Sequence, residues 1–146
     1  MSVEKVREYL RPFGVEDRIR EFDVSSATVE LAAAAVGVEG ARIAKTLSFH
    51  DDGDGCMLIV TAGDMKIDNH KFKERFHFKA RMLTHDEALA FTGHAVGGVC
   101  PFALPEGVMV YLDESMKRFG TVFPAVGSAS SAIELTPDEL MRCSHG

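Results

Sequence analysis

An α+β domain, a mixed sheet packed by short α-helices, is the fold class this sequence predicts. Three observations point to it. Segments 42–50 and 56–61 read as strands joined by the turn Asp51-Asp52-Gly53-Asp54-Gly55. Short, well-capped helices interleave irregularly with further strands along the chain. At 146 residues, 46% hydrophobic and 26% charged, the chain is long enough for one soluble domain over 1–146 with a single core. No internal repeat, low-complexity segment or interior linker divides it.

The elements follow in order. Val3, Val6 and Leu10 recur at helical spacing, and Pro12 and Gly14 end that first helix. Arg18-Ile19-Arg20-Glu21-Phe22 alternates as an edge strand does. Ser26 or Thr28 caps a helix over 29–36, whose alanine run favours helix and close packing on a sheet; Gly37 stops it. In the strand 42–50, Ile43, Leu47 and Phe49 share a face with Lys45. Desolvating an ammonium is costly, so two readings of Lys45 stand. It is a side chain snorkelling past a strand end, or a cation held in a pocket for a phosphate, carboxylate or carbonyl oxygen. The turn 51–55 has the composition of a calcium loop but neither the length nor the terminal glutamate.

Segment 56–61 is continuously apolar, a central strand covered on both faces. Residues 68–76 form a helix and 80–83 a short strand. Thr84-His85-Asp86-Glu87 is a capping box opening a helix that Gly93 ends. Strands at 108–113, 121–126 and 131–135 follow, the last two around the small-residue turn Gly127-Ser128-Ala129-Ser130. Thr136-Pro137-Asp138-Glu139 opens a closing helix with both a capping box and proline at its first position.

The helix before Gly93 delivers the chain into Ala95-Val96-Gly97-Gly98-Val99-Cys100-Pro101-Phe102. Adjacent glycines let a ligand approach the peptide groups, and Pro101 stiffens the loop and biases Cys100 toward an extended shape. Val96, Val99 and Phe102 are placed to pin it to a core. A pinned glycine loop presents fixed N–H donors to a carbonyl or a developing oxyanion; it is equally a tight connection between elements. Cys100 tempts a nucleophile assignment, but a lone cysteine with no identified base reads as inert. His94, just before the loop, is placed to supply that base, or is a surface or packing histidine.

The net charge of -6 argues against coating long nucleic acid and leaves room for a local contact with one end of an RNA. Lys66, Lys71, Lys73, Arg75, Lys79 and Arg81 against Asp68 and Glu74 give residues 66–81 a local balance of +4, with His70 and His77 nearby. That run is a solvated helix face or the surface for a polyanion. A DNA-binding regulator is disfavoured by the acidic balance and the lack of a helix-turn-helix. Cys56, Cys100 and Cys143 are odd in number and widely spaced, and the six histidines show no ligand spacing, so neither a disulfide framework nor a metal site is expected. The first residues lack the apolar core of a signal peptide, and no apolar run reaches membrane-spanning length. A reducing, cytoplasmic setting without membrane attachment is the expectation.

Six stretches, in order and spacing, carry a resemblance. They are Ser26-Ala27-Thr28-Val29-Glu30, Ile43-Ala44-Lys45-Thr46-Leu47, Val60-Thr61-Ala62-Gly63-Asp64, Gly97-Gly98-Val99-Cys100-Pro101-Phe102, Tyr111-Leu112-Asp113-Glu114-Ser115, and the closing Leu135-Thr136-Pro137 with Glu139 and Leu140. Together they resemble the YbaK/EbsC family, free-standing relatives of the editing domain inserted in bacterial prolyl-tRNA synthetases, which are aminoacyl-tRNA deacylases. The likeness runs over nearly the whole chain. It implies a barrel-like mixed sheet wrapped by helices, and hydrolysis of the aminoacyl ester of mischarged tRNA without a cofactor.

The resemblance ties deacylation to Lys45 and to the G-x-x-x-P loop running from Gly97 to Pro101. The N–H groups of Gly97, Gly98 and Val99 are then assigned to the ester carbonyl, and Lys45 to the terminal nucleotide or the polarised carbonyl. A water or the substrate's own functional group attacks. The chain shows no nucleophile elbow, and an ester is activated enough for positioning and electrostatics to suffice. Thr46, Cys100, Pro101, Asp113, Gly127 and Ser128 are the expected substrate-binding residues. Asp113 orients a water, pairs with Lys45, or caps a neighbouring turn; Ser128 and Ser130 line the pocket or serve their turn. Lys66, Lys71, Lys73 and Arg75 are the expected RNA contacts. Family members clear alanine, cysteine or other small residues, chiefly from tRNA for proline. Thr46 looks more like the cysteine-clearing type than the alanine-clearing type, which usually has asparagine there. Cys-tRNA(Pro) or Ala-tRNA(Pro) is therefore the expected substrate, with prolyl-tRNA synthetase the candidate partner. The rival is a synthetase-associated module that binds an aminoacyl-tRNA or aminoacyl group without hydrolysing it.

Overall fold

The computed structural model describes residues 2–95 and 97–145. Val3, Val6 and Leu10 form the buried side of α1 (Ser2–Leu10), which runs through a 3-10 turn to Gly14 at φ 73°. β1 (Ile19–Glu21) follows, then α2 (Val29–Val36), where the Thr28 hydroxyl accepts from the Leu31 N–H at 3.1 Å. The cap is Thr28, then, and not Ser26. β2 (Ile43–His50) and β3 (Cys56–Ala62) form the hairpin, whose turn is closed by the Asp51 carboxylate accepting from the Gly53 and Gly55 N–H groups at 2.8 and 3.1 Å. Asp68 caps α3 (Asn69–Phe76), and the Thr84–Glu87 box opens α4 (His85–Thr92). β4 (Met109–Leu112), β5 (Phe123–Pro124), β6 (Ser131–Ile133) and α5 (Pro137–Ser144) complete the chain.

The main sheet runs β4-β3-β2-β5 and is mixed: β2 and β3 are antiparallel, while β3–β4 and β2–β5 are parallel. It curls into a half-barrel. β1 and β6 form a separate antiparallel ribbon. Alternation along the strands sorts side chains to two faces. Ala44, Leu58, Val60 and Val110 face the main core, which α1 (Val6, Leu10) and α5 (Leu140, Cys143) complete. On the outer face Phe49, Met57 and Ile59 pack beneath Phe72 of α3, and Ile43 and Phe123 beneath Ala32 of α2. β3 is thus buried along its whole length, which explains its unbroken apolar run. The turn after β3 is tied down as well. A side chain at Gly63 would run into the Gly40 carbonyl, and Arg118 forks Asp64 at 2.6 and 3.0 Å. The Ala62 N–H donates to Ser115 Oγ at 3.1 Å.

Three expected strands are shorter than their patterns. Residues 80–83 make a single bridge, Phe49 with Met82; of 121–126 only Phe123 and Pro124 join the ladder; and of 131–135 the strand keeps Ser131–Ile133, with Leu135 bridging to Val122. The first two share a cause. Between Ala44 and Ser48 the edge of β2 faces a cavity instead of a strand. Among the described residues no helix is long and apolar enough to cross a membrane.

Candidate active site

That cavity, about 410 Å³, follows from strand geometry. In an antiparallel pair the N–H and C=O of one residue point to the same side, alternating along the strand. The Ser48 carbonyl accepts from the Leu83 N–H at 3.1 Å and the His50 N–H donates to the Arg81 carbonyl at 2.8 Å, both away from β3. Thr46, two residues earlier, directs its N–H and C=O the same way. Pairing with β5 ends at Ala44, so the ladder has a gap at Thr46, and the cavity lies against it. Lys45 and Leu47 line the cavity from the outer side of the sheet, Thr46 and Ser48 from the inner.

The facing wall brings together Ser26, Ala27, Gly97 and Val99. Gly97 sits at φ 94°, and a Cβ there would come within 3.2 Å of the Ala27 and Ala129 methyls. At Gly98 a Cβ would lie 2.5 to 2.7 Å from the backbone of Gly127 and Ser128. Gly97 is thus favoured by its left-handed backbone, and Gly98 is demanded by packing.

Two polar side chains of this lining have no partner. Ser26 Oγ and Thr46 Oγ1 are buried without a hydrogen bond, and Ser26 is 7% exposed. A buried hydroxyl left unpaired is costly, so a pair of them on one cavity marks a place for a polar ligand. Lys45 is half-buried and its Nζ donates to the Met65 carbonyl. The ammonium thus snorkels from the apolar face to a backbone acceptor, with two of its three donors remaining.

The other expected site residues divide. The Gly98 N–H donates to the Ala95 carbonyl at 2.9 Å, which takes it out of the set aimed at an ester; its part is packing. Cys100 and Pro101 are buried on the core side and do not line the cavity. Burial pushes the Cys100 thiol up to about 12, leaving it neutral. His94 is also fully buried; its Nε2 lies 2.9 Å from the Phe102 carbonyl and 3.5 Å from Cys100 Sγ, and burial lowers its pKa. It is a packing histidine, and a neutral thiol beside a neutral imidazole inside a core is no nucleophile. Asp113 does not meet Lys45: its carboxylate accepts from the Ser115 N–H at 3.0 Å and caps a 3-10 turn. Ser128 serves its turn, with Oγ 2.7 Å from Ser131 Oγ, and Gly127 touches the glycine loop, not the cavity. Phe102 pins the loop from the core, whereas Val96 lies outside the described residues.

The structure adds residues that pattern reading missed. Ser26, considered as a cap and as part of the resemblance, lines the cavity, and Thr28 takes the cap. His85, considered only as part of a capping box, lines the rim from the first turn of α4. Nothing local in the sequence separates Ser26 from Thr28 as the cap. Among the described residues no group of three or more His, Cys, Asp or Glu is arranged to hold a metal ion.

A larger cleft, about 660 Å³, lies between α3 and β4 on the outer face of the sheet. Lys66, Lys71 and Arg75 line it, whereas Lys73 does not. Thr61, the cross-strand neighbour of Lys45, and Met65, the acceptor of its ammonium, line it too. Lys45 therefore stands between the two hollows.

Comparison with known proteins shows the family. Residues 23–143 match the family model described as an aminoacyl-tRNA editing domain. The chain is 56% identical over 144 residues to an uncharacterized protein, YwhH, of Bacillus subtilis (strain 168), covering 99% of this chain and 92% of that protein. It is 28% identical over 120 residues to EbsC of Enterococcus faecalis (strain ATCC 700802 / V583), a candidate Cys-tRNA(Pro)/Cys-tRNA(Cys) deacylase, covering 82% of this chain and 73% of that one. A crystal structure of a candidate trans-editing enzyme for prolyl-tRNA synthetase superposes with a TM-score of 0.90 at 29% identity, covering 99% of this chain and 92% of that one. The chain thus belongs to the aminoacyl-tRNA editing domain family, within the YbaK/EbsC group that its strand lysine and glycine loop resemble.

Proposed function

We propose that the protein is an aminoacyl-tRNA deacylase acting in trans on mischarged tRNA for proline, with Cys-tRNA(Pro) preferred to Ala-tRNA(Pro). One observation carries the reading. The cavity at the β2 edge surrounds a space of about 410 Å³ with Lys45, the Thr46 backbone, Gly97, Val99 and two unpartnered hydroxyls. That volume lies in the range of small-ligand sites.

In the reaction, water adds to the ester carbon, the bond from that carbon to the ribose oxygen breaks, and the ribose oxygen takes a proton. Negative charge develops on the carbonyl oxygen on the way. The Lys45 ammonium, with donors beyond its bond to Met65, stabilises that charge or anchors the terminal nucleotide. Gly97 and Val99 line the same space and are assigned as N–H donors to that carbonyl oxygen, and the Thr46 backbone offers one donor and one acceptor to the main chain of the aminoacyl group. The ester is already activated, so positioning and fixed dipoles supply the rate without a covalent intermediate. The buried Cys100 takes no part.

The orphaned hydroxyls favour cysteine. A thiol next to Ser26 or Thr46 gives a partner to a group that a methyl leaves unpaired, and such pairing discriminates better than size alone. Prolyl-tRNA synthetase is the proposed partner that supplies the choice of tRNA.

The test is hydrolysis of Cys-tRNA(Pro) and Ala-tRNA(Pro) by purified protein, with Pro-tRNA(Pro) as control. Lys45→Ala should slow the mischarged reaction by roughly 10²–10³-fold. Thr46→Val should reduce the cysteine-to-alanine preference by roughly 10-fold, chiefly through the cysteine substrate. Tight aminoacyl-tRNA binding without hydrolysis of either species would replace the enzyme by a binding module.

A further inference from the structure

We infer that the cleft between α3 and β4 binds single-stranded RNA. Its phosphates lie on Lys66, Lys71 and Arg75, and one base stacks against Tyr111. That the RNA is the 3′ tail leading to the esterified nucleotide rests on the deacylase reading; the binding chemistry does not.

Charge is the first argument. Six arginines of this acidic chain lie against carboxylates, among them Arg7 with Glu21, Arg18 with Glu139 and Arg118 with Asp64. Lys66, Lys71 and Arg75 form no ion pair among the described residues, although all three line one concave surface. Two carboxylates, Asp68 and Asp113, line the same cleft. Asp68 accepts from the His70 and Lys71 N–H groups at 2.9 and 3.0 Å, and Asp113 accepts from the Ser115 N–H at 3.0 Å. One oxygen of each is engaged by backbone donors, and although the Lys71 charge also helps hold the Asp68 carboxyl below its ordinary range, no lysine or arginine head in the cleft is ion-paired among the described residues. Unpaired cations grouped in a groove are the footprint of a phosphate backbone.

The aromatic floor is the second argument. The Tyr111 and Phe76 rings meet edge to face at 4.9 Å, and the Arg75 guanidinium lies 4.9 Å from the Phe76 centroid and 5.5 Å from that of Tyr111. Both rings are half-buried, so each keeps part of its surface open. A guanidinium beside an open ring in a basic groove is the combination that holds an unpaired base, since every base has a π-face whatever its sequence. Duplex RNA offers no such free face. The tail, not the stem, is therefore the occupant.

Continuity is the third. Thr61 and Met65 line the cleft, and both touch the position of Lys45, which lines the cavity. An RNA strand lying in the cleft ends at the lysine, and only its last nucleotide has to reach around it.

The experiment measures affinity of the whole protein for a fluorescent, uncharged RNA hairpin with a single-stranded 3′ tail, against the same hairpin without the tail. Combined K66Q, K71Q and R75Q should weaken binding of the tailed hairpin at least ~10-fold and flatten its salt dependence by about 2 in log–log slope. Tyr111→Leu should weaken it about 10-fold, Tyr111→Phe should keep it, and neither should change binding of the tailless hairpin. Removing the same number of charges elsewhere, by K5Q, R11Q and R20Q, should matter less than about 2-fold. Equal losses in the two triple variants, indifference to Tyr111→Leu, or absence of tail binding in the unmodified protein would each overturn the inference. Ester hydrolysis is assayed separately. Tail binding through these residues without hydrolysis sinks the deacylase reading alone, and hydrolysis with tail binding indifferent to them sinks this inference alone.

Discussion

Gly98 has less room for a side chain than Gly97, its neighbour in the glycine loop. A methyl there would sit 2.5 Å from the Ser128 nitrogen and 2.6 Å from the Gly127 carbonyl carbon, and both are backbone, which cannot swing aside. Gly98→Ala should cost about 1–3 kcal/mol, read from urea unfolding, because the loop has to lift off the 127–129 turn to make space. His94 makes a second prediction. Burial lowers its pKa, so the folded protein holds it neutral while the unfolded chain protonates near its ordinary value of about 6.5. Stability should therefore fall as the solution is acidified below that value, by up to about 1.4 kcal/mol per pH unit until the folded-state value is reached. His94→Gln should flatten that part of the stability profile. At this scale the sequence spoke clearly where chemistry was local: Lys45 stands out on an apolar strand face by pattern alone. It left Ser26 and Thr28 undivided as caps and read Cys100 as inert but substrate-binding, because which hydroxyl caps a helix and which way a loop side chain turns are settled by neighbours distant in the chain.

The helices were the most legible elements, since their caps are local. Thr28, Asp68, Thr84 and Thr136 each accept from a backbone N–H within the next three residues. In α5 the capping box does more than start a helix. Glu139 Oε1 accepts from the Thr136 N–H at 2.9 Å and from Arg18 Nη1 at 2.8 Å, tying α5 to the 3-10 turn ahead of β1. The Arg18 guanidinium, helped by the Thr136 N–H, holds the Glu139 carboxyl down at about 2. A carboxylate depressed in this way stabilises the fold above its unfolded value of about 4.3 and loses that contribution as the pH falls toward 2. Glu139→Gln should accordingly lower the urea midpoint at neutral pH, with the difference closing near pH 2, and Thr136→Ala should cost about 1 kcal/mol. Strands were read less well. β2 and β3 announced themselves through alternation and an unbroken apolar run. The lengths of β5 and of the 80–83 segment depended on whether a partner strand ran alongside, which no window of sequence records.

For the molecule as a whole, the family resemblance supplied what periodicity could not, namely that the strand lysine and the glycine loop converge on one cavity. The two-sidedness of Lys45 was legible in neither, because it arises from the curl of the sheet and the turn that carries Met65. The gap in the β2 ladder has a consequence beyond the reaction. A bare strand edge invites pairing with another chain, and a long one is a template for aggregation. Here the bare stretch is the Thr46 N–H and C=O with the Ser48 N–H, closed on one side by the pairing of Ala44 with β5 and on the other by the bond between Leu83 and the Ser48 carbonyl. Two donors and one acceptor are too few to seat a foreign strand. The opening is long enough for the backbone of a single amino acid and too short to propagate a sheet, so that edge can stay open without seeding fibres.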